Sequence, residues 1–259
     1  MLFTGGSRDG TYLIISAARR AGKILQCIVM LHLPGLGLLQ HSQHPDTAML
    51  QEEEDRGWVA GGVHLEPLQP MKRWSVKFAG DMILKNEGSI VTSHRVVIDA
   101  EYSSDLEYFD FDSDMDPWTV ARAMAREPWS REYFDRLKAA HQSHYEQFGE
   151  VSGLVSVDGQ ERSLKVSVMR DHTHGSNRDW RLMHRYCLHN FTCQDGTRGF
   201  LGIVSQPGTF SFLELGYIYD KKGKKCPVQV SGSDRRAISV LHSGGGFPDL
   251  ELRRERPGS

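Results

Sequence analysis

Several common functional motifs are missing from this sequence. The glycine-rich stretches Gly5–Gly10 and Gly35–Gly37 lack the Lys-Ser/Thr pair of a phosphate loop and the glycine spacing of a dinucleotide-binding fold. The sequence also has no G-x-S-x-G segment, which would mark a hydrolase serine on a strained strand-to-helix turn. We therefore do not expect a kinase, a dinucleotide-dependent dehydrogenase or a serine hydrolase of that type.

The sequence also lacks a basic excess and a long apolar run. It has 31 Lys and Arg against 33 Asp and Glu, a net charge of −2, which does not favour nucleic-acid binding. The most apolar stretch, 24–39, is interrupted by polar residues, glycines and a proline and is too short to span a bilayer. The first residues lack the basic start and apolar core of a secretory signal. We expect a soluble, cytoplasmic protein without a membrane span.

Cysteine is scarce, and no C-x-x-C pair occurs. The four cysteines are Cys27, Cys187, Cys193 and Cys226. In a chain of this length, scattered cysteines are most simply thiols in a reducing compartment. Cys187 and Cys193 could instead pair across a hairpin.

Glycine and alternating apolar residues, by contrast, are plentiful. Gly makes up 26 of 259 residues, which favours many tight turns and hence many strands. The predicted strands are 11–16, 24–33, 73–80, 95–101, 151–157, 162–169, 181–193, 198–204, 210–219 and 225–230. Asp158-Gly159, Asp195-Gly196 and the segment 220–223 are expected to turn three successive hairpins. These features predict a mainly β, antiparallel barrel or sandwich.

One region has a helical period instead. Asp116 followed by Pro117 is typical of a helix start, and Ser130 is a second candidate N-cap. We expect a helical insertion over 117–145 and a polar loop over 41–62. The sequence then divides into three parts: an N-terminal β-barrel-like domain (1–115), a helical linker (116–148) and a C-terminal β-barrel-like domain (149–259).

The densest group of polar residues, Arg170–Arg181, lies between two predicted strands, where loops often present functional groups. Asp171 could orient the imidazole of His172 and raise its pKa. A buried Asp171 could instead stay protonated and act as an acid. Either arrangement could protonate an olefin or polarise a carbonyl in an apolar cavity. Downstream, His184 and Tyr186 share one strand face and add further polar groups.

The same segment also admits a purely structural interpretation. Arg170 with Asp179, or Arg178 with Asp171, could form a buried ion-pair network that holds a barrel loop in place. Structural ion-pair networks shift the pKa values of their members, just as catalytic sites do. Spacing alone leaves both interpretations open.

Two histidine patterns have spacings that metal sites use. His172 and His174 would share a strand face, with Asp171 or His184 as a third ligand, and His141 and His144 are three residues apart. Neither pattern has a third and fourth ligand at a known spacing. We therefore expect no metal and no other cofactor.

Four segments of the chain resemble the AttH-like, carotenoid-hydratase-like superfamily. They are 70–80, 144–153, 157–159 and 170–180. The hydratases of that superfamily carry a His-Asp-His-Asn-Trp-Gly motif. In this sequence Asp171, His172 and Gly175 match it, whereas Arg170 and His174 depart from it.

The resemblance implies two lipocalin-like barrels, complete or incomplete, that bind an apolar, lipid- or isoprenoid-like molecule. An enzyme of this kind would be a hydratase- or cyclase-type lyase or an isomerase that uses acid catalysis. Asp171 would then donate the proton and His172 would be its partner. The remaining ligand contacts implied are Arg170, His174, Arg178, Trp180, His184 and Tyr186. A carrier without turnover is equally compatible with the resemblance.

A second resemblance points to a different function. Arg170–His172 followed by Arg178–Trp180 is similar to a segment that precedes the nucleotide-binding part of large animal proteins resembling phosphoenolpyruvate synthase. This implies, as the alternative, a non-catalytic accessory domain that interacts with a phosphotransferase partner.

Overall fold

The computed structural model describes residues 1–50, 57–85, 91–175 and 182–228, and this part of the chain is mainly β structure. The helices are α1 (Pro117–Met124) and α2 (Arg131–Ala139), and a 3₁₀ turn spans Ala21–Lys23. The first strands are β1 (Leu2–Gly6), β2 (Tyr12–Arg20), β3 (Ile24–Leu33), β4 (Gly37–His41), β5 (Ala48–Leu50), β6 (Trp58–Ala60), β7 (Val63–Gln69) and β8 (Arg73–Lys85). The others are β9 (Val91–Ser103), β10 (Phe109–Asp110), β11 (Ser143–Val157), β12 (Gln160–His174), β13 (Arg185–Thr192), β14 (Arg198–Gln206), β15 (Phe210–Tyr219) and β16 (Lys225–Pro227).

Eight antiparallel strands close into a barrel. Around the barrel the order is β11, β12, β1, β2, β3, β4, β8 and β9, and β9 pairs back with β11. The other strands of this sheet attach to its edges: β10 to β11, β5 to β3, and the β6–β7 hairpin to β8. The prediction of a mainly β, antiparallel barrel is confirmed. Closure matters physically because it leaves no unpaired edge among those eight strands.

The barrel interior follows from the two-residue alternation of its strands. In β8 the alternate residues Trp74, Val76 and Phe78 are buried in the main hydrophobic core. In β12 the corresponding face carries Leu164, Val166 and Val168, followed by Arg170 two residues further on. A fully buried arginine therefore stands in register with a row of core aliphatic side chains.

A second, four-stranded sheet packs against the barrel. Its order is β13-β14-β15-β16, and a second core joins it to β10, β11 and β12. We call this core the aromatic cluster; its members are Phe109, Phe148, Met169, Phe200, Leu215, Tyr217 and Tyr219. Helix α2 is tied to the second sheet by Tyr133, whose hydroxyl donates to the carbonyl of Thr209. The described residues thus contain one closed barrel and one open sheet.

The turn predictions based on Asp-Gly pairs are confirmed. Asp158 and Gly159, with φ of 50° and 81°, join β11 to β12, as a two-residue hairpin requires. Gly196 has a φ of 90° in the connection between β13 and β14. Segment 220–223 connects β15 to β16.

The helical insertion is shorter than predicted. Both N-caps are confirmed, since the side chains of Asp116 and Ser130 accept bonds from the third residue of each helix. Helix α2 nevertheless ends at Ala139, and the prediction of helix up to 145 is wrong because β11 begins at Ser143. Residues 146–149 are all buried, which hides the strand alternation that would otherwise identify them.

One other prediction differs from the structure, and the predicted domain division is not tested by it. The expected loop over 41–62 contains β5 and β6. The expected domain boundary at 148 lies inside β11, and both β11 and β12 pair with strands of the N-terminal part. Strand pairing therefore groups 143–174 with the first barrel, and a division of the chain into domains stays a prediction.

All four cysteines are free, so Cys187 and Cys193 do not pair across their hairpin. Across the described parts of the chain, no helix has the length and apolar character needed to cross a membrane.

Two adjacent glycines in β1 give a test of barrel closure. A side chain on Gly5 would collide with the carbonyl oxygen of Ser167 in β12, whereas one on Gly6 would meet nothing closer than 3.5 Å. We expect Gly5→Ala to lower the free energy of unfolding by about 1–3 kcal/mol, because β1 and β12 must move apart. Gly6→Ala is the matched control and should change it by at most about 0.5 kcal/mol. Urea unfolding measures both, and equal effects would contradict the tight approach of β1 to β12.

Candidate functional site

The candidate site is built on one pair of strands. In the register of β11 and β12, Glu146 lies opposite Asp171 and Tyr145 lies opposite His172. Since neighbouring side chains alternate between faces, the residues of this segment separate into two groups. The outer trio, His144, Glu146 and Asp171, faces the aromatic cluster. The inner set, Tyr145, Gln147, Arg170 and His172, lies on the opposite face.

The outer trio converges on one imidazole nitrogen. Nε2 of His144 lies 3.3 Å from Oε1 of Glu146 and 3.3 Å from Oδ2 of Asp171. This nitrogen is buried and makes no aligned hydrogen bond to either oxygen. The ring of Phe111 stacks on the imidazole at 4.3 Å and nearly parallel. His144 is therefore held in position while its Nε2 faces two carboxyl groups.

The second oxygen of each carboxyl group has its own donor. The hydroxyl of Tyr217 donates to Oε2 of Glu146 at 2.6 Å, and the hydroxyl of Thr173 donates to Oδ1 of Asp171 at 3.0 Å. Glu146 is only 1% exposed, whereas the side chain of Asp171 is 24% exposed. The trio therefore extends from the aromatic cluster towards the surface.

Burial and mutual charge determine the protonation of the trio. Burial is the largest influence on His144 and disfavours its cation, but the contacts with Asp171 and Glu146 outweigh it and raise the pKa of His144 to about 9. Burial raises the pKa of Glu146. Burial acts in the same direction on Asp171, but the contact with His144 outweighs it and lowers the pKa of that carboxyl. Of the two carboxyl groups, Glu146 is therefore the one held nearer its protonated form.

Arg170 is the centre of the inner set. Its side chain is 0% exposed, and Nη2 donates to Oε1 of Gln147 at 2.9 Å and to Sδ of Met71 at 3.4 Å. Its guanidinium lies 5.3–6.0 Å from the ring centres of Trp74, Tyr102 and Tyr145. Nε and Nη1 have no hydrogen-bond partner, and no carboxylate pairs with Arg170 among the residues that the structure describes.

His172 lies beside Arg170 in an apolar setting. Its Nδ1 is 2.6 Å from the hydroxyl of Tyr145, and Trp58 contacts the ring edge-on. Burial, reinforced by the nearby charge of Arg170, lowers the pKa of His172 to about 4. His172 is therefore neutral at neutral pH.

The structure separates the two residues expected to act together. Asp171 and His172 are neighbours in β12 but point to opposite faces, so the imidazole next to Asp171 is that of His144. His174 is exposed at the end of β12. Arg178, Trp180 and Asp179 lie outside the described residues. The catalytic roles of Asp171 and His172 stay predictions.

The other expected ligand contacts lie in the second sheet. Tyr186 is 57% exposed in β13, and His184 precedes that strand and contacts the guanidinium of Arg185. The outer trio lies on β11 and β12, which belong to the barrel and not to the second sheet. The second sheet contributes the hydroxyl of Tyr217, which donates to Glu146.

Sequence reasoning missed His144 as the partner of Asp171, together with Glu146, Gln147 and Tyr217. His144 and Glu146 were hidden because His144 was assigned to the predicted helix, which ended at 145, and Glu146 to the helical linker, which ended at 148. The available signal was the His-x-Glu spacing, which places both side chains on one face of a strand.

A cleft of about 490 Å³ opens beside the turn that connects β7 to β8. Its lining includes Lys72, Arg73 and Arg198, together with the acidic residues Asp105 and Glu150. Arg73 is paired with Glu101, outside this lining, and Nε of Arg198 is buried without a hydrogen-bond partner.

The fold is similar to the crystal structure of a putative AttH from Nitrosomonas europaea, with a TM-score of 0.54 and 9% sequence identity. The similarity covers 87% of this chain and 66% of that protein, so this chain spans just under two thirds of its length. The AttH-like fold implied by the resemblance is confirmed, and at this identity the similarity concerns the fold alone. No curated protein matches the sequence. Residues 1–238 match the model of a family of unknown function, DUF8627.

The bond between Tyr217 and Glu146 tests how strongly the two sheets depend on the outer trio. We expect Tyr217→Phe to lower the free energy of unfolding by about 1–3 kcal/mol, because a buried carboxyl oxygen loses its donor. Tyr186→Phe removes a hydroxyl from an exposed ring and should change it by less than about 0.5 kcal/mol. Chemical denaturation followed by circular dichroism compares the two, and a loss no larger than that of Tyr186→Phe would contradict this role of Tyr217.

Proposed function

This chain belongs to the DUF8627 family of unknown function, and we propose that it binds an amphipathic organic anion at one end of its barrel. Arg170 is the contact for the anionic group, and the rings around it contact the apolar body. The observation that carries this proposal is the complete burial of Arg170 with two nitrogen atoms that no described residue pairs. Small eight-stranded barrels commonly hold one small ligand.

An unpaired guanidinium in a protein interior is energetically unfavourable. Removing a charge from water costs several kcal/mol unless an opposite charge and hydrogen bonds replace the lost hydration. Gln147 supplies one acceptor and Met71 a weak one, which leaves Nε and Nη1. A carboxylate or phosphate could accept a charge-assisted hydrogen bond from either of these two nitrogens.

The surroundings of Arg170 indicate an apolar body for the ligand. Trp74, Tyr102 and Tyr145 present ring faces and edges around the guanidinium, which suits hydrocarbon or aromatic groups. Side chains fill the middle of the barrel, so the ligand is expected at the end where β8 begins and β9 finishes.

Met71 covers this end of the barrel. It lies in the turn between β7 and β8 with a φ of 60°, and its carbonyl accepts from the amide of Gln147. The cleft beside this turn is lined by the basic residues Lys72 and Arg198 and also by the acidic residues Asp105 and Glu150.

The finer expectations from the sequence are compatible with this site but have less support. Acid-catalysed hydration, cyclisation or isomerisation of a bound apolar molecule stays a prediction. A phosphotransferase partner also stays a prediction, since neither the fold nor the family match favours it.

Replacing Arg170 by methionine separates binding from folding. We expect the wild-type chain to bind decanoate and Arg170→Met to lose at least about tenfold in affinity, because one charge-assisted hydrogen-bonded pair is lost. The variant should unfold at the same or a higher urea concentration, since replacing a buried charge with an apolar side chain of similar length is often neutral or stabilising. Isothermal titration calorimetry and urea unfolding measure the two effects.

Two comparisons make the result specific. Decan-1-ol has the same chain without the charge and should bind at least about tenfold more weakly than decanoate to the wild type. Arg162→Met removes an exposed arginine of the same strand and should leave decanoate binding unchanged. The proposal fails if decanoate does not bind, or if Arg170→Met retains binding and loses several kcal/mol of stability, which is the result for a purely structural arginine.

A further inference from the structure

We infer that His144, Glu146 and Asp171 form a binding site for one divalent transition-metal ion such as zinc. The ligand atoms are Nε2 of His144, Oε1 of Glu146 and Oδ2 of Asp171, and all three lie within 4.8 Å of one another. This site is separate from the proposed anion site, because it lies on the other face of β11 and β12.

Two of the three distances between ligand atoms match the edges of a small coordination polyhedron. Nε2 lies 3.3 Å from each carboxylate oxygen. Bonds of about 2.0–2.1 Å to a tetrahedral zinc ion place neighbouring ligand atoms about 3.3–3.4 Å apart. An ion could therefore be accommodated between Nε2 and the two oxygens without a large movement of the backbone.

Hydrogen bonding within the trio is incomplete. A single proton on Nε2 can be shared between the two oxygens only as a weak three-centre contact, and the nitrogen makes an aligned bond to neither. The nitrogen is nevertheless buried, where an unsatisfied polar atom costs about 1–3 kcal/mol. A metal ion would satisfy the nitrogen and both carboxylate oxygens together.

Each ligand side chain is also held in position by a neighbouring residue. The contact uses a part of the side chain other than the proposed ligand atom. Tyr217 donates to Oε2 of Glu146, and Thr173 donates to Oδ1 of Asp171. Phe111 stacks on the imidazole of His144. Partners of this kind orient metal ligands in known sites, and loss of one weakens metal affinity by about 10–100-fold.

The donor set indicates the class of ion. An imidazole nitrogen favours zinc, iron, copper or nickel over magnesium and calcium, which prefer all-oxygen sites. Three protein ligands leave a fourth tetrahedral position for water or another small ligand.

The experiment measures zinc binding to the full chain, produced without a polyhistidine tag and freed of metal with a chelator. Cys187 and His189 form a second candidate, since Sγ and Nε2 lie 3.0 Å apart on an exposed strand. The titrations are therefore made in a Cys187→Ser background. Isothermal titration calorimetry should give one zinc ion per chain, and cobalt in its place should show the strong visible absorption of tetrahedral coordination.

The variants test the assignment residue by residue. Asp171→Asn, Glu146→Gln and His144→Gln should each weaken zinc binding by at least about 100-fold, more than the loss of an outer partner. His141→Gln is the matched control, because His141 is exposed and bonded to Asp112. It should keep the wild-type affinity. Circular dichroism identifies any variant that fails to fold. The zinc affinities of the variants that do fold then test the assignment.

Three results would overturn the assignment. They are no zinc bound by the parent chain, undiminished binding in Asp171→Asn or Glu146→Gln, and binding of magnesium or calcium in preference to zinc. The first result would leave His144 as an imidazole held by charge alone between two carboxyl groups. The anion site is tested with decanoate and Arg170 variants, whereas the metal site is tested with zinc and variants of the outer trio. Failure of one proposal therefore does not decide the other.

Discussion

The alternation of side chains along β11 and β12 is the constraint on which both candidate sites depend. The two strands pair without interruption from Ser143 opposite His174 to Val157 opposite Gln160, within a barrel that closes on both sides of them. A shift by one residue would exchange the two faces and place Asp171 in the barrel interior. The register is fixed by the two-residue turn at Asp158-Gly159 and by core residues such as Val166 and Val168.

This geometry keeps opposite charges apart although they are adjacent in the sequence. Arg170 and Asp171 are joined by one peptide bond, yet the guanidinium lies among aromatic rings while the carboxylate faces His144. An arginine and an aspartate that met would neutralise each other and leave little for a ligand. Separated by the sheet, each faces a different set of partners, and Arg170 keeps two nitrogen atoms for which the described residues supply no hydrogen-bond partner.

The parts of the fold that could be predicted are those governed by local rules. Asp-Gly turns need a positive φ, and Asp116 and Ser130 cap helices by direct bonds to nearby amides. The start of β11 was not predictable by alternation, because residues 146–149 are buried on both faces where the barrel meets the aromatic cluster. Gly149 shows the reason: a side chain there would collide with Tyr102, a contact far away in the sequence.

The same limit applies to the sites. Asp171 and Arg170 were identified as candidate site residues because the surrounding sequence is rich in polar residues. In the structure Asp171 belongs to the outer trio and Arg170 is the centre of the inner set. The partners of Asp171 could not be found by spacing, since His144 lies on another strand and Tyr217 on another sheet. Arg170 needs only the barrel, whereas the outer trio needs the second sheet as well. A relative that kept the barrel but lost β15 would therefore keep the surroundings of Arg170, while Glu146 would lose its hydrogen-bond donor.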